Sequence, residues 1–152
     1  MPAPNPSTTP PTTTRASMRA RTILLVDDDK AVLHSLRSLL EDLGFCVVTA
    51  CDGVEALRKF RASPPDLMLT DIIMPEKEGI DLIMQLRREY PTTKIIAMSG
   101  GGRIGNKDFV SIATALGADA GLQKPFDDEQ LAATLDSVIK RGPTRLGHAS
   151  AA

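Results

Sequence analysis

Asp27, Asp28 and Asp29 stand side by side after one apolar run, and Asp71, Ser99 and Lys124 each close or follow another. Carboxylates within ~4 Å of one another repel by about 4 kcal/mol per pair at an effective dielectric of about 20. A cluster of that kind holds a proton or binds a hard cation. Mg2+ suits it, since this ion takes a few carboxylates, keeps several waters and completes its shell with phosphate oxygen. Lys124 then offers a compact positive charge, and Ser99 a hydroxyl donor, to an anion beside the metal. A nucleophilic carboxylate with a metal and a lysine is the apparatus for an aspartyl phosphate.

Singly, each of these residues has an ordinary account. Asp28 or Asp29 fits a helix N-cap, and a lone Asp at a strand end is usually a turn residue. Lys124 by itself reads as solvated, and Ser99 as a loop hydroxyl. Capping does not absorb three consecutive acids, however. Asp71 is followed by Ile-Ile-Met-Pro, and Pro75 disfavours helix at Met74. The joint pattern carries the weight. Crowding is expected to raise the pKa of at least one of the carboxylates when no cation is bound.

The elements that must gather these groups are legible between them. Aliphatic or β-branched runs at Thr22–Val26, Phe45–Ala50, Asp66–Thr70, Lys94–Met98 and Gly121–Gln123 read as strands buried on both faces. Helical periods lie between and after them. They are Val32 to Leu43, Val54-Leu57-Phe60, Ile80-Ile83-Leu86-Tyr90, Phe109-Ile112-Ala113-Leu116, and Leu131-Leu135-Val138-Ile139. Asp52 and the pair Asp127-x-x-Gln130 mark helix starts, and Gly44 and Gly117 mark ends. Five alternations predict an α/β fold with an open, doubly wound parallel sheet, too few units for an eight-stranded barrel. Such sheets place their sites at the carboxyl ends of the strands, where every residue named above falls.

Composition agrees and excludes other classes. A chain of 152 residues that is 42% hydrophobic and 24% charged suits one globular domain, and excludes a collagen, a coiled coil or a wholly disordered chain. Its apolar runs are too short to span a bilayer. With aromatic residues at 3%, a base-stacking surface has nothing to build on. Cys46 and Cys51 form neither a zinc motif nor a disulfide framework, and suggest an intracellular, cytoplasmic protein. Between Thr22 and Lys140 there are 13 bases against 19 acids, a net of −6 that argues against direct DNA binding. Residues 1–20, with five Pro and five Thr, read as a disordered or polyproline tail. They lack a secretory apolar segment, and their prolines spoil the amphipathic helix of a transit peptide. The domain is expected over 21–141, with a flexible tail over 142–152.

The segments ILLVDDDK, PDLMLTDIIMPEKEG, IIAMSG and GADAGLQKPF together resemble the receiver domain of bacterial two-component response regulators, over about residues 21–141. The resemblance implies a flavodoxin-like sheet of order 2-1-3-4-5 with five helices. It implies that Asp71 accepts a phosphoryl group from a histidine kinase or histidine phosphotransferase. Asp27, Asp28 and Asp71, with the backbone carbonyl of Ile73, would hold Mg2+. Ser99 matches the switch hydroxyl, Lys124 the phosphate-pairing lysine, Lys124-Pro125 the family's cis peptide, and Pro75 and Gly79 the loop after the phosphoacceptor. A domain of this kind is a phosphoacceptor that assists its own phosphorylation and dephosphorylation rather than an enzyme. With twelve residues after Lys140, the sequence reads as a stand-alone receiver acting on a downstream protein.

Two departures from the family bear on the switch. Gly121 occupies the strand-five position that usually carries Tyr or Phe, so signalling is expected through Ser99, the glycine-rich stretch 100–105 and the start of helix four. Ile73 and Gly101 stand where the family orients the hydrolytic water, which implies a long-lived phosphate. Three other readings compete. Asp27-x-Asp29 also fits the nucleophile motif of haloacid-dehalogenase-type phosphatases, though Asp127 and Asp128 begin a helix instead of supplying that family's further acidic pair. Gly100-x-Gly102-x-x-Gly105 is a literal dinucleotide-binding pattern, but the next strand ends Leu-Gln-Lys, without a ribose-binding acid. The third is a non-phosphorylated adaptor that keeps the fold.

Overall fold

Five parallel strands and five helices alternate along the chain in the computed structural model, which describes residues 21–72, 79–100 and 106–140. The strands are β1 (Thr22–Val26), β2 (Cys46–Ala50), β3 (Leu67–Asp71), β4 (Lys94–Ser99) and β5 (Ala120–Gln123). The helices are α1 (Lys30–Asp42), α2 (Gly53–Ala62), α3 (Gly79–Glu89), α4 (Asn106–Leu116) and α5 (Asp128–Lys140). The sheet order is β2-β1-β3-β4-β5, every neighbour parallel, as a doubly wound flavodoxin-like fold requires. The expected tails 1–20 and 142–152, residues 73–78 with Ile73 and Pro75, and stretch 101–105 with Gly101 lie outside the described residues.

Alternation along the central strands fills two cores. Leu24, Val26, Met68, Ile72 and Ile95 face one layer, covered by α2, α3 and α4 through Ala56, Phe60, Leu82, Ile83, Leu86 and Ala113. Ile23, Leu25, Leu67, Leu69, Ile96 and Met98 face the other, covered by α1 and α5 through Leu36, Leu40, Leu131, Leu135 and Val138. Each fully buried aliphatic or aromatic side chain contributes about 1.5–3 kcal/mol. Phe60 and Tyr90 add a tilted ring contact at 4.7 Å between centroids.

The caps form as the spacing predicts. Asp52 accepts from the Glu55 N–H at 2.8 Å, and Asp127 and Gln130 satisfy each other's backbone N–H at 2.7 and 2.9 Å. Gly44 (φ 101°) and Gly117 (φ 137°) end α1 and α4 in the left-handed region. Two expectations need correction. Strands at the sheet edges are not buried on both faces, since Cys46 and Val48 of β2 are exposed and β5 buries only Leu122. Val54, Ile112 and Leu116 are also exposed, at 60%, 45% and 36%, although their spacing places them with the core residues of α2 and α4. Gly53, Ala56 and Phe60 of α2 and, among the described side chains of α4, Ala113 take the buried positions, so the apolar period there is wider than the covered seam.

Arg87 is a charge inside the fold, 2% exposed. Its guanidinium donates to the carbonyls of Gly117, Pro91 and Thr93 and to Asp119 Oδ2, at 2.6–3.0 Å. Asp119 Oδ2 also accepts from the Ile95 N–H at 2.8 Å. These bonds tie the end of α3 to the starts of β4 and β5, opposite the sheet edge where Asp71 lies.

Candidate functional site

Where β1 ends, Asp27 is still held in the sheet by its N–H bond to the Ala50 carbonyl, so its side chain is only 1% exposed. One carboxylate oxygen accepts from the Asp29 N–H at 2.9 Å, and the other from Lys124 Nζ at 2.7 Å. Asp28 follows on the exposed side of the turn. Asp29 is the N-cap of α1, its Oδ1 accepting from the Ala31 and Val32 N–H groups at 2.9 and 3.3 Å. One of the three acids is therefore a cap, and the phosphatase reading loses its second carboxylate to it.

Asp71 ends β3, 8% exposed, one residue beyond the last β1–β3 pair, Val26↔Thr70. The next peptide stays in the sheet, with the Ile72 N–H bonded to the Met98 carbonyl at 2.9 Å. Gly79, the first residue of α3, bonds back to the Ile72 carbonyl at 2.6 Å, and a Cβ there would lie 2.6 Å from Ile72 Cα and overlap the Asp71 carbonyl oxygen. Only glycine lets α3 begin this close to the end of β3.

Ser99, 2% exposed, ends β4 opposite Gln123, and its carbonyl accepts from the Lys124 N–H at 2.7 Å. Its hydroxyl lies 3.4 Å from the Gly100 carbonyl oxygen, a weak bond. The Lys124-Pro125 peptide is cis, as expected. Lys124 Nζ sits 3.9 Å from Asp71 Oδ1, so it neutralises Asp27 directly and Asp71 at longer range. Gly121 lies in β5, registered with Ala97. A groove of about 610 Å3 between α1 and the β5–α5 turn, lined by Val32, Ser35, Pro125 and Phe126 among others, opens at Lys124.

The structure thus brings Asp27, Asp28, Asp71, Ser99 and Lys124 to one edge of the sheet; Ile73 is not among the described residues. Carboxylate oxygens of Asp27, Asp28 and Asp71 lie within 4.8 Å of one another. Three hard oxygen donors, one of them exposed, fit a divalent cation that keeps part of its water shell. The pKa of Asp71 is pushed up to about 6. Burial is the chief cause; Lys124 opposes it, and Asp27 and Asp28 add to it. Crowding, the expected cause, contributes through Asp27 and Asp28 but ranks below burial. Arg87, Asp119 and the Thr70 hydroxyl, which donates to the Asp71 carbonyl at 2.9 Å, carried no signal in sequence. An arginine in a last helical turn and a threonine in a strand both look ordinary there.

Comparison with known proteins agrees with this geometry. The family model of the response regulator receiver domain matches residues 23–136. The chain is 41% identical over 119 residues to the transcriptional regulatory protein CpxR of Escherichia coli (strain K12), covering 78% of this chain and 49% of that protein. It is 38% identical over 122 residues to the response regulator MprA of Mycobacterium avium (strain 104), covering 78% of this chain and 51% of that one. The chain spans about half the length of the curated relatives it matches. Among solved structures, a response regulator receiver domain protein from Clostridium thermocellum superposes with a TM-score of 0.73 at 30% identity, over 80% of this chain and 95% of that one. The Vibrio cholerae chemotaxis protein CheY4 gives 0.69 at 31% identity, over 78% and 98%. Sheet order, acidic cluster and family match converge, and the chain belongs to the response regulator receiver domains.

Proposed function

We propose that Asp71 is the phosphoacceptor, taking a phosphoryl group from the phosphohistidine of a histidine kinase or histidine phosphotransferase. The observation that carries this is a buried carboxylate with Asp27 and Asp28 inside 4.8 Å and the Lys124 ammonium 3.9 Å away. An oxygen of ionised Asp71 attacks phosphorus; the P–O bond forms as the P–N bond breaks, and the imidazole leaves with a proton. Lys124, held on Asp27 at 2.7 Å, is within a side-chain rotation of a phosphoryl oxygen on Asp71. Ser99 supplies a hydroxyl to the same group. Asp27, Asp28, Asp71 and the Ile73 carbonyl would hold Mg2+, which supplies positive charge for the phosphoryl oxygens when bound.

The groove beside Lys124 admits the partner's histidine, and its apolar wall of Val32, Pro125 and Phe126 suits a helical partner surface. The phosphorylated state is read by a downstream protein through Ser99, stretch 100–105 and the start of α4, with no direct DNA contact by an acidic body. No described helix is long and apolar enough to cross a membrane. Reaction with a kinase's phosphohistidine supports a cytoplasmic location.

Labelling with radioactive acetyl phosphate and Mg2+ tests the assignment. Incorporation lost in Asp71→Asn and retained in Asp29→Asn supports it. The reverse result supports the phosphatase chemistry, and no incorporation in the unaltered protein supports an adaptor.

A further inference from the structure

Thr70 is wholly buried, and strand alternation puts it on the face of β3 that carries Met68 and Ile72 into an apolar layer. A hydroxyl placed there needs a partner. Its partner is the Asp71 carbonyl at 2.9 Å. That carbonyl stands where the β1–β3 ladder has stopped, since the register ends at Val26↔Thr70, and Gly79 closes over it from α3. The peptide joining Asp71 to Ile72 is thus pinned at one end by Thr70 Oγ1 and at the other by the Ile72 N–H on the Met98 carbonyl.

We propose that the Thr70 hydroxyl is a positioning group for the phosphoacceptor. It fixes the tilt of that one peptide, and with it both the aim of the Asp71 carboxylate at Asp27 and Lys124 and the exit of the chain toward residue 73. The inference rests on Asp71 being the phosphoacceptor. Thr70 touches no reacting atom; it acts through the backbone of the residue that does. A carboxylate displaced by a fraction of an ångström loses shared geometry with the other two acids, so metal binding and phosphoryl transfer both weaken.

Three variants separate positioning from packing. Thr70→Val keeps the shape and removes the hydroxyl, whereas Thr70→Ser keeps the hydroxyl and removes a methyl. Thr70→Ala and Thr70→Ser differ from each other in the hydroxyl alone, and supply the same contrast should the valine protein fail to fold. Mg2+ affinity is measured by calorimetry with the metal alone, labelling rate with acetyl phosphate, and thermal midpoint in metal-free buffer. Thr70→Val is expected to bind Mg2+ about fivefold more weakly and to label about tenfold more slowly, with Thr70→Ser within about twofold of the unaltered protein on both counts. Thermal midpoint should rank the other way, because serine leaves a methyl-sized void and valine does not. Unchanged Mg2+ affinity in Thr70→Val, or equal affinities in the alanine and serine proteins, overturns the proposal. The Asp71→Asn control keeps the two readings apart. Labelling that survives it defeats the phosphoacceptor assignment, whereas labelling lost in Asp71→Asn but intact in Thr70→Val defeats the Thr70 role alone.

Discussion

Replacing Asp71 with Asn should stabilise the metal-free protein at neutral pH, and the gain should vanish in acid. The Asp71 pKa is raised from 3.8 to about 6, chiefly because burial disfavours the ionised form. At 1.36 kcal/mol per unit, that shift makes the ionised carboxylate about 3 kcal/mol worse in the folded than in the unfolded chain. The sign follows from proton counting. Below pH 4 both states carry the proton and there is no penalty; between about pH 4 and 6 only the folded state keeps it, so stability falls as pH rises; above about pH 6 the full penalty stands. Asn, neutral at every pH, escapes it. The asparagine protein should therefore melt roughly 5–10 °C higher at pH 7.5 in a chelator and within about 2 °C of the unaltered protein near pH 4. Taking the difference between two proteins that share every other titrating group cancels their common background. Mg2+ should nearly close the gap at pH 7.5, since an ion at 100 times its dissociation constant adds about 2.7 kcal/mol to the aspartate protein. A pH-independent gap between the melting curves, or no gap at pH 7.5 in the chelator, would refute the reasoning.

Other perturbations read neighbouring parts of the same structure. Lys124→Met leaves Asp27, 1% exposed, without its ion-pair partner and should cost about 2–3 kcal/mol in urea unfolding without metal, the lysine's partial exposure holding it below a fully buried pair. Arg87→Met takes the cation from Asp119, whose side chain is 3% exposed, and a donor from three backbone carbonyls; a loss of about 3–5 kcal/mol by the same measurement is expected. Gly79→Ala forces a methyl against the Asp71 carbonyl and should lower stability by about 1–3 kcal/mol and slow acetyl phosphate labelling, both measurable on one preparation. Deleting residues 1–20, which offer almost no apolar surface, should shift the thermal midpoint by no more than a few degrees.

What the sequence discloses and what it hides divide along physical lines. Strand ends and caps are local: the apolar run before Asp27, the reciprocal Asp127–Gln130 bonds and the left-handed glycines at 44 and 117 depend on residues within a turn of one another, and all form as expected. Convergence of Asp27, Asp71 and Lys124 is not local, yet it is legible because a parallel sheet sends every strand's carboxyl end to the same edge. Topology converts three distant positions into one site. Nothing comparable marks Arg87, whose acid partner is 32 residues away and whose other partners are backbone carbonyls, which have no sequence identity at all. The same blindness explains Val54, Ile112 and Leu116. A helical period reveals which residues share a face, but whether a neighbouring layer covers that face depends on helix placement, and on α4 Ala113 packs in the core while Ile112 and Leu116 stay exposed. It also explains why crowding was the expected cause of the raised Asp71 pKa. Adjacent acids can be counted in a sequence, whereas the depth at which β3 leaves its last carboxylate, and the lysine that returns 53 positions later to lie between two of them, exist only in the folded chain.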